Sequence, residues 1–325
     1  MRFNRQRPVL AMVFPCFNEE DALPDSMEKI DAAISKMKIR GLIADSSFVL
    51  YVDDGSSDKT WELIMARCHG KNGVDSHSKC RGLKLAGNAG HQNALYAGLV
   101  CALEAGVDCA VSMDVDLQDD IDVVPALLAE FSRGCDLVYG VRRERETDIR
   151  FKRLTACIYY RLLRFLNVKL IPHHGDCRLC SRLALEGLSQ INENDLFLRA
   201  LFPNFGLRSS VVEYSRKMRL HGVTKYTFRK MVSLAWRGIT SFSVWPLRIA
   251  GLFSVVSMMV AMIQTFIVLY AWCKGISVPG WSSLMIVILF MGSVQLFCLT
   301  IIGEYLAKTY METKKRPRYI VEKLI

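Results

Sequence analysis

Residues 48–58 read FVLYVDDGSSD, and this stretch decides the fold class. Five apolar or aromatic residues in a row predict a buried strand, and the acidic turn that follows predicts its end. A helix-like segment comes next, which Ser57 or Asp58 is able to cap. The same order of buried strand, polar turn and helix recurs through the first 140 residues. It predicts an α/β fold with a mostly parallel sheet and helices on both faces.

The predicted elements follow from the spacing of apolar residues. Short apolar runs predict strands, and apolar residues three and four apart predict helices. The predicted strands are residues 9–14, 48–52, 83–86, 109–113 and 136–139. The predicted helices are residues 21–37, 59–68, 91–104 and 123–133.

The C-terminal third differs, because two long uncharged stretches occupy it. Residues 249–273 and 275–303 contain no Asp, Glu, Lys or Arg, and Lys274 alone separates them. A helix needs roughly 20 apolar residues to cross a bilayer. The sequence therefore predicts a hairpin of two membrane helices, at residues 248–273 and 281–303.

Composition limits the class of protein. The 325 residues carry 42 Lys and Arg against 32 Asp and Glu, a net charge of +10. Outside the two uncharged stretches the charge is dense and mixed, as in soluble domains. These features exclude a wholly soluble protein, a transporter with many spans and a disordered chain.

The basic residues also predict an orientation. They cluster before the first span and after the second, at Lys225, Arg229, Lys230, Arg237, Arg248, Lys308, Lys314, Lys315, Arg316 and Arg318. By the positive-inside rule, both termini and the N-terminal domain face the cytosol. A signal peptide is not expected, because the apolar run at residues 9–14 is short and PCFNEE ends it.

Two segments combine aromatic residues with Lys and Arg. Next to a membrane hairpin, such segments are typical of helices that lie in the interface, and a basic surface helix is the alternative. We expect an interfacial helix at residues 151–170, within a domain of residues 1–225. A juxtamembrane amphipathic helix is expected at residues 226–247, and a basic cytosolic tail at residues 304–325.

The eleven cysteines are scattered without paired spacing, which is typical of reduced thiols. Cys177 and Cys180 form one Cys-x-x-Cys, just after His173 and His174. A zinc site needs four ligands, and no second Cys pair lies nearby. Packing residues are the favoured interpretation of this pair, and a metal site is the alternative.

Acidic residues follow three predicted strands, in PCFNEE (residues 15–20), DDGSSD (53–58) and DVDLQ (114–118). Ligands of open α/β sheets bind where strands end. An Asp-x-Asp that leaves a strand brings two carboxylates to one hard divalent cation, and phosphates and water complete its shell. Asp114 and Asp116, with the carbonyl of Gln118, are therefore candidate ligands of a metal that bridges a diphosphate. Alone, the pattern is equally typical of a turn.

The conjunction of motifs resembles family 2 glycosyltransferases with the GT-A fold. The motifs are PCFNEE, VDDGSSD, NAGHQ (88–92), DVDLQ, GDCRL (175–179), RLHGVTKY (219–226), GITSFS (238–243), PLR (246–248), GEY (303–305) and RPRY (316–319). The chain is most similar to the polyprenyl-phosphate group, which includes dolichyl-phosphate mannose synthase and bactoprenol glucosyltransferases. It departs from that group at Phe17, where Tyr is frequent, and at Cys177, where Phe is frequent.

The resemblance implies roles for individual residues. Nucleoside-binding residues would be Pro15, Phe17, Glu19, Val52 and Asp54, with Asp54 on the base or ribose. Residues around a Mg²⁺ or Mn²⁺ ion and the diphosphate would be Asp114, Val115, Asp116 and Gln118. Residues on phosphates would be Arg142, Arg219 and Lys225, and residues of the reaction centre Asp116, Asp176 and Arg178. A solvated charge run is the alternative interpretation of Arg142, and a turn residue is the alternative for Asp176.

The implied activity is the inverting transfer of a sugar, glucose from UDP-glucose, to undecaprenyl phosphate or another polyprenyl phosphate. This activity belongs at the bacterial inner membrane and serves envelope glycan modification. The acceptor phosphate is already anionic near neutral pH, so no strong base is required. Asp176 either orients Arg178 or takes a residual proton, and Arg142, Arg145 and Arg178 are candidate clamps for two anions.

The expected partners are a nucleotide sugar, polyprenyl phosphate, membrane lipids and a second copy of the chain in a homo-oligomer. Nucleic acid is not expected, because the basic residues cluster near the membrane hairpin. Two alternatives stay open. One is transfer to a different lipid or hydroxyl acceptor, and the other is a non-catalytic membrane scaffold that binds a nucleotide sugar.

Overall fold

The computed structural model describes residues 6–69, 79–142, 171, 174–193, 196–214, 245–275 and 280–325. The chain divides into two units. The first comprises residues 1–164, 169–225 and 317–325, and the second comprises residues 165–168 and 226–316.

The first unit is built on one sheet, to which the described residues contribute eight strands. They are β1 (Leu10–Cys16), β2 (Phe48–Asp53), β3 (Lys79–Leu85), β4 (Cys109–Ser112), β5 (Leu137–Arg142), β6 (His174–Ser181), β7 (Ser209–Tyr214) and β8 (Val321–Leu324). Their order is β7-β5-β6-β4-β1-β2-β3-β8. Strand β1 is parallel to β2 and β4, β2 to β3, and β5 to β7. Strand β6 is antiparallel to β4 and β5, and β8 to β3. The predicted mostly parallel sheet is confirmed.

Helices cover both faces of this sheet. They are α1 (Leu23–Ile39), α2 (Thr60–His69), α3 (His91–Glu104), α4 (Val124–Ser132), α5 (Arg182–Ser189) and the one-turn α6 (Leu198–Leu201). Short 3-10 turns lie at Ile121–Val123 and Phe202–Phe205. Successive strand residues point to opposite faces. Met12 therefore packs in one core with Ile30 of α1, and Val13 in the other core with Leu95 of α3, all four fully buried.

The elements predicted from periodicity are found within a few residues of their expected bounds. The Asp58 carboxylate accepts a hydrogen bond from the backbone N–H of Thr60 (3.0 Å), as expected for the cap of α2. Strands β6, β7 and β8 were not predicted. All eight residues of β6 are buried although its sequence, HGDCRLCS, is polar. The hydrophobicity pattern does not reveal this strand, because the charges of Asp176 and Arg178 are buried as an ion pair.

The end of the chain differs from the expected tail at residues 304–325. Strand β8 pairs with the edge strand β3, and Ile325 exchanges two backbone hydrogen bonds with Gly82, at 2.9 and 3.0 Å. Lys84 of β3 forms an ion pair with Glu322 of β8 (3.0 Å). The last residues are therefore part of the first unit, where they cover an otherwise open sheet edge.

The second unit contains α7 (Trp245–Cys273) and α8 (Trp281–Thr313). Both are long and apolar enough to cross a membrane, over Trp245–Ala271 and Val287–Thr313. Phe253 of α7 and Phe297 of α8 pack edge to face, with ring centroids 6.2 Å apart. The predicted interfacial helix and residues 226–244 of the predicted juxtamembrane helix lie outside the described residues, and residues 245–247 are the first turn of α7.

The cysteines correct one expectation and support another. Cys68 and Cys80 form a disulfide, so the expectation of free thiols throughout is wrong for this pair. Sequence spacing missed it because the two residues meet only when α2 packs on β3. Cys177 and Cys180 are buried free thiols in separate cores on opposite faces of the sheet. They cannot bind one metal ion together, since their positions on β6 differ by an odd number.

Candidate active site

A cleft of about 290 Å³ opens at the carboxyl ends of β1, β2 and β4. These strands are parallel, so the loops that follow them meet at one edge of the sheet. The residues that line the cleft are Pro15, Cys16, Phe17, Glu19, Asp54, Asn88, Gly90, His91, Ala94, Asp114, Val115 and Asp116. The three acidic motifs and the NAGHQ turn therefore share one site.

Hydrogen bonds join the loop after β1 to the loop after β2. Asn18 has a positive φ of 53° and donates its backbone N–H to the hydroxyl of Ser56 (3.0 Å). Its side-chain oxygen accepts from the backbone N–H of Ser57 (2.9 Å). A left-handed non-glycine residue is uncommon and costs free energy, so this turn is held by its partners. It fixes the wall of the cleft that carries Phe17.

Asp54 holds the NAGHQ turn. Its carboxylate accepts hydrogen bonds from the backbone N–H groups of Ala89 (2.7 Å) and Gly90 (3.0 Å). Burial raises the pKa of Asp54, and these two hydrogen bonds partly offset that rise. Gly55 has φ +67°, and a Cβ there would lie 2.5 Å from the carbonyl carbon of Gly87. Only glycine allows the two loops to approach this closely.

The Asp-x-Asp motif forms a tight turn after β4. Leu117 has φ 45° and donates its backbone N–H to the carbonyl of Asp114 (3.3 Å). The backbone N–H of Gln118 donates to Asp116 (3.2 Å), and its side-chain amide donates to the same carboxylate (2.5 Å). Burial and then the charge of Asp176 raise the pKa of Asp114 to about 6. The turn thus presents two carboxylates to the cleft, and that of Asp114 lies close to the negative charge of Asp176.

Asp176 lies behind this turn at the centre of a charged cluster. Arg178 donates to its Oδ1 atom (2.6 Å), Arg199 donates to Oδ1 (3.3 Å) and Oδ2 (2.9 Å), and His91 Nε2 lies 3.2 Å from Oδ2. Burial alone would raise the pKa of Asp176, but the hydrogen bond with His91 and the two guanidinium charges hold the pKa well below its usual range. The hydrogen bond to Asp176 raises the pKa of His91. Asp176 is therefore a permanent carboxylate.

A second buried pair lies beside this cluster. Arg142 donates two hydrogen bonds to Asp119, at 3.0 and 3.1 Å, and Asp119 is fully buried. A Cβ on Gly175 would lie 2.8 Å from the Arg142 guanidinium. The bidentate geometry fixes the plane of the Arg142 side chain.

Residues 12–188 match the family described as "Glycosyl transferase family 2". The chain belongs to glycosyltransferase family 2. The glycosyltransferase YkoT of Bacillus subtilis (strain 168) is 43% identical over 318 residues, which cover 98% of this chain and 92% of that protein. The prophage bactoprenol glucosyl transferase homolog of Escherichia coli (strain K12) is 36% identical over 317 residues, which cover 97% and 99%.

A solved structure is similar to the chain at lower sequence identity. The mannosyltransferase PcManGT from Pyrobaculum calidifontis, in complex with GDP-Man and Mn²⁺, is 15% identical, with a TM-score of 0.45. The match covers 92% of this chain and 87% of that chain. Family membership together with the observed sheet confirms the predicted GT-A fold class and the predicted enzyme class.

Half of the fourteen predicted site residues of this glycosyltransferase line the cleft, and the others lie elsewhere or outside the described residues. Those that line it are Pro15, Phe17, Glu19, Asp54, Asp114, Val115 and Asp116. Val52 is fully buried in the core, and Gln118 braces Asp116. Arg178 is fully buried behind Asp176, so its guanidinium does not reach the cleft. Arg219, Lys225 and Arg145 lie outside the described residues.

Three residues of the site were not singled out from sequence. His91 was part of a quoted motif, and its position after a Gly at a helix start is a usable signal. Asp119 directly follows the DVDLQ motif, in a polar run whose members the sequence does not distinguish. Arg199 carries no motif, because its contact with Asp176 arises only from folding.

Metal-binding side chains converge in the family 2 site. Among the described residues, ligand atoms of His91, Asp114 and Asp176 lie within 4.8 Å of one another. The predicted set was Asp114, Asp116 and Gln118. The Asp176 carboxylate already receives two arginines, whereas Asp114 and Asp116 face the cleft. Carboxylate oxygens are the ligands that Mg²⁺ and Mn²⁺ prefer, so the donor set fits such an ion.

Proposed function

We propose that this glycosyltransferase transfers glucose from UDP-glucose to undecaprenyl phosphate, with inversion at the anomeric carbon and with a divalent metal. The product is a polyprenyl-phosphate-linked monosaccharide for envelope glycan modification. The supporting relatives, named as bactoprenol glucosyl transferases, match nearly the full length of the chain. The observation that carries the proposal is the Asp114–Asp116 cleft in a chain that also has two apolar helices able to span a membrane.

The nucleoside end of the donor fits the wall formed by Pro15, Phe17 and Glu19. Phe17 is 45% exposed and supplies an aromatic surface for a base. Asp54 lies at the same wall, where its carboxylate is already bound to Ala89 and Gly90. We therefore infer that Asp54 acts on the donor chiefly by holding the NAGHQ turn in place.

The diphosphate end fits the Asp-x-Asp turn. Asp114 and Asp116 would hold Mg²⁺ or Mn²⁺, which supplies positive charge to the departing nucleoside diphosphate. The protein's own part is to orient these carboxylates, through the braces that Gln118 gives to Asp116. Arg219 and Lys225 are proposed phosphate contacts on the basis of their motif.

The reaction needs no strong general base. A lone pair of an acceptor phosphate oxygen attacks the anomeric carbon, the bond from that carbon to the donor diphosphate breaks, and its electron pair leaves with UDP. The acceptor oxygen carries no proton once the phosphate is a dianion, and the second pKa of a phosphate is about 6. Asp176 is engaged by Arg178 and Arg199, so we assign it an orienting role.

A lipid acceptor also explains the second unit. The polyprenyl tail stays in the bilayer, so an anchored enzyme meets its substrate at the surface. We propose that α7 and α8 span the bacterial plasma membrane, with the first unit and both termini in the cytosol. The charge of +10 favours an anionic membrane surface. The segments at residues 151–170 and 226–244 are proposed to lie in the interface, since residues 245–247 belong to α7.

The test is a transfer assay with purified full-length protein in detergent. Radiolabelled UDP-glucose, undecaprenyl phosphate and Mg²⁺ or Mn²⁺ are incubated, and label in the organic phase is counted. We expect label that EDTA abolishes and that the Asp116→Ala variant lacks. If label appears only with a different nucleotide sugar, that nucleotide sugar is the donor instead of UDP-glucose. Nucleotide binding without label from any donor would support the scaffold alternative.

A further inference from the structure

We propose that Arg199 binds the phosphate of the acceptor lipid, and that Asp176 is the positioning residue that aims it. This inference rests on the proposed function and adds a substrate contact to it. Arg199 lies on the one-turn helix α6, next to the reaction centre rather than in the nucleoside wall.

The contacts of Arg199 leave part of its guanidinium available. Its Nε and Nη2 atoms donate to Asp176, at 3.3 and 2.9 Å. An arginine has five N–H donors. Within the described part of the chain, these two bonds leave three of them for a ligand. The Arg199 side chain is 39% exposed, whereas Asp176 is 5% exposed, so the carboxylate supports the guanidinium from the protein side.

The charge of this cluster favours an anion. One carboxylate, Asp176, faces two guanidinium groups, and that of Arg178 is fully buried. These three groups together carry one positive charge in excess, and Arg199 is their exposed member. The carboxylate of Asp114, 3.6 Å from His91, is a proposed ligand of the metal ion, which would offset its negative charge. By contrast, the pair of Arg142 and Asp119 is neutral. An excess charge on a planar, oriented guanidinium is the arrangement that binds phosphate well.

The order of contacts places this charge on the acceptor side. Asp114 lines the cleft, His91 lies 3.6 Å from Asp114 and 3.2 Å from Asp176, and Asp176 binds Arg199. Two residues, His91 and Asp176, thus separate Arg199 from the Asp-x-Asp turn in this series of contacts, and Arg199 does not line the cleft. A donor whose diphosphate sits at that turn leaves Arg199 to the second anion. A substrate pair of two anions needs such a separate positive group.

The experiment compares Arg199→Gln and Arg199→Lys with a matched control, Arg182→Gln. Arg182 has a similar exposure, 34%, and pairs with Glu186 at 3.1 Å, within one helix. Initial rates are measured while undecaprenyl phosphate and the nucleotide sugar are varied separately. Binding of undecaprenyl phosphate and of uncharged undecaprenol, without donor, is measured by calorimetry in the same detergent. UDP binding reports whether each variant is folded.

We expect Arg199→Gln to raise the KM and the Kd for undecaprenyl phosphate by about 10- to 100-fold, because a charged hydrogen bond is lost. The donor KM and UDP affinity should stay within about twofold, Arg199→Lys should recover part of the loss, and Arg182→Gln should match the wild type. A rise in the donor KM instead, equal loss of UDP binding, or unchanged acceptor affinity would overturn the assignment.

The binding arm separates this inference from the proposed function. If the wild type transfers no sugar but binds undecaprenyl phosphate better than undecaprenol, and Arg199→Gln removes that preference, the proposed function fails and the phosphate site stands. If the wild type shows no preference for the phosphate, the site is overturned whatever the transfer assay shows.

Discussion

The Nε2 atom of His91 lies 3.2 Å from the Oδ2 atom of Asp176, which joins the start of α3 to strand β6. His91 follows the turn that Asp54 holds, and Asp176 is held by Arg178 and Arg199. The donor cleft and the buried charge cluster are therefore one connected network. A change at either end is expected to affect sugar transfer.

Asp176 stabilises the fold as well as the site. The Asp176→Asn variant would leave the fully buried guanidinium of Arg178 without a countercharge, which costs about 3 kcal/mol. We expect the melting temperature of the protein in detergent to fall by about 6–12 °C, with loss of transfer. Asp45→Asn is the control, because Asp45 pairs with Arg7 at the surface. An equal shift in both variants would contradict this role.

Substitutions at Gly55 and Gly41 distinguish the cost of a steric clash from the cost of backbone strain. Both glycines have positive φ, +67° and +69°, but a Cβ on Gly41 meets nothing within 4 Å. Gly41→Ala should cost about 1 kcal/mol. Gly55→Ala should cost about 2 kcal/mol more, because its Cβ collides with Gly87, and it alone should weaken UDP binding. Equal losses in both variants, measured by thermal unfolding and UDP titration, would show that the contact is unimportant.

The parts of the fold predicted from the sequence are those governed by apolar periodicity. Strands β1 to β5 and helices α1 to α4 bury mainly apolar side chains, so the spacing of these side chains is visible in the sequence. Strand β6 was missed because Asp176 and Arg178 are buried as a pair, which no hydropathy pattern shows. Strand β8 is short and exposed, and it forms only because β3 offers an open edge.

The same distinction applies to the site. Asp114 and Asp116 were predicted as neighbours because two residues at a strand end share one turn. Arg178 was expected near the reaction centre, and the structure places it behind Asp176, where its side chain is fully buried. Arg199 was not expected at all, since it reaches Asp176 from a segment 23 residues further along the chain. Side chains that act through long-range contacts leave no local pattern.

The lowered pKa of His174 makes the stability of the fold depend on pH. Burial and the charge of Arg178 lower the pKa of His174 to about 4, from about 6.5 in an unfolded chain. The unfolded state therefore binds the extra proton first, so stability is full above about pH 7 and falls as the pH drops from 6.5 to 4. The loss is roughly 3 kcal/mol. His174→Asn should flatten this part of the melting-temperature profile, and an unchanged slope would contradict it.

The aromatic ring of Phe17 is expected to contribute to the affinity for the nucleotide. If its exposed ring stacks on the base, Phe17→Ala should weaken UDP binding about tenfold, since such stacking is worth roughly 1–3 kcal/mol. Phe17→Tyr should bind like the wild type, because the aromatic face is kept. Leu183→Ala is a control of equal exposure, 45%, away from the cleft. Titration with UDP in the presence of Mn²⁺ measures the affinity of each variant. An unchanged affinity in Phe17→Ala would show that Phe17 does not bind the donor.

The identity of the acceptor decides whether this enzyme carries out the proposed reaction, and a comparison of three acceptors measures it. Purified full-length protein is given labelled UDP-glucose and Mn²⁺ with undecaprenyl phosphate, undecaprenol or diacylglycerol as acceptor in separate reactions. We expect label on undecaprenyl phosphate alone, because only that acceptor brings an oxygen that is already ionised at neutral pH. Equal or greater label on undecaprenol or diacylglycerol would contradict it, since those hydroxyl groups require a base that an Asp176 bound to two arginines does not supply.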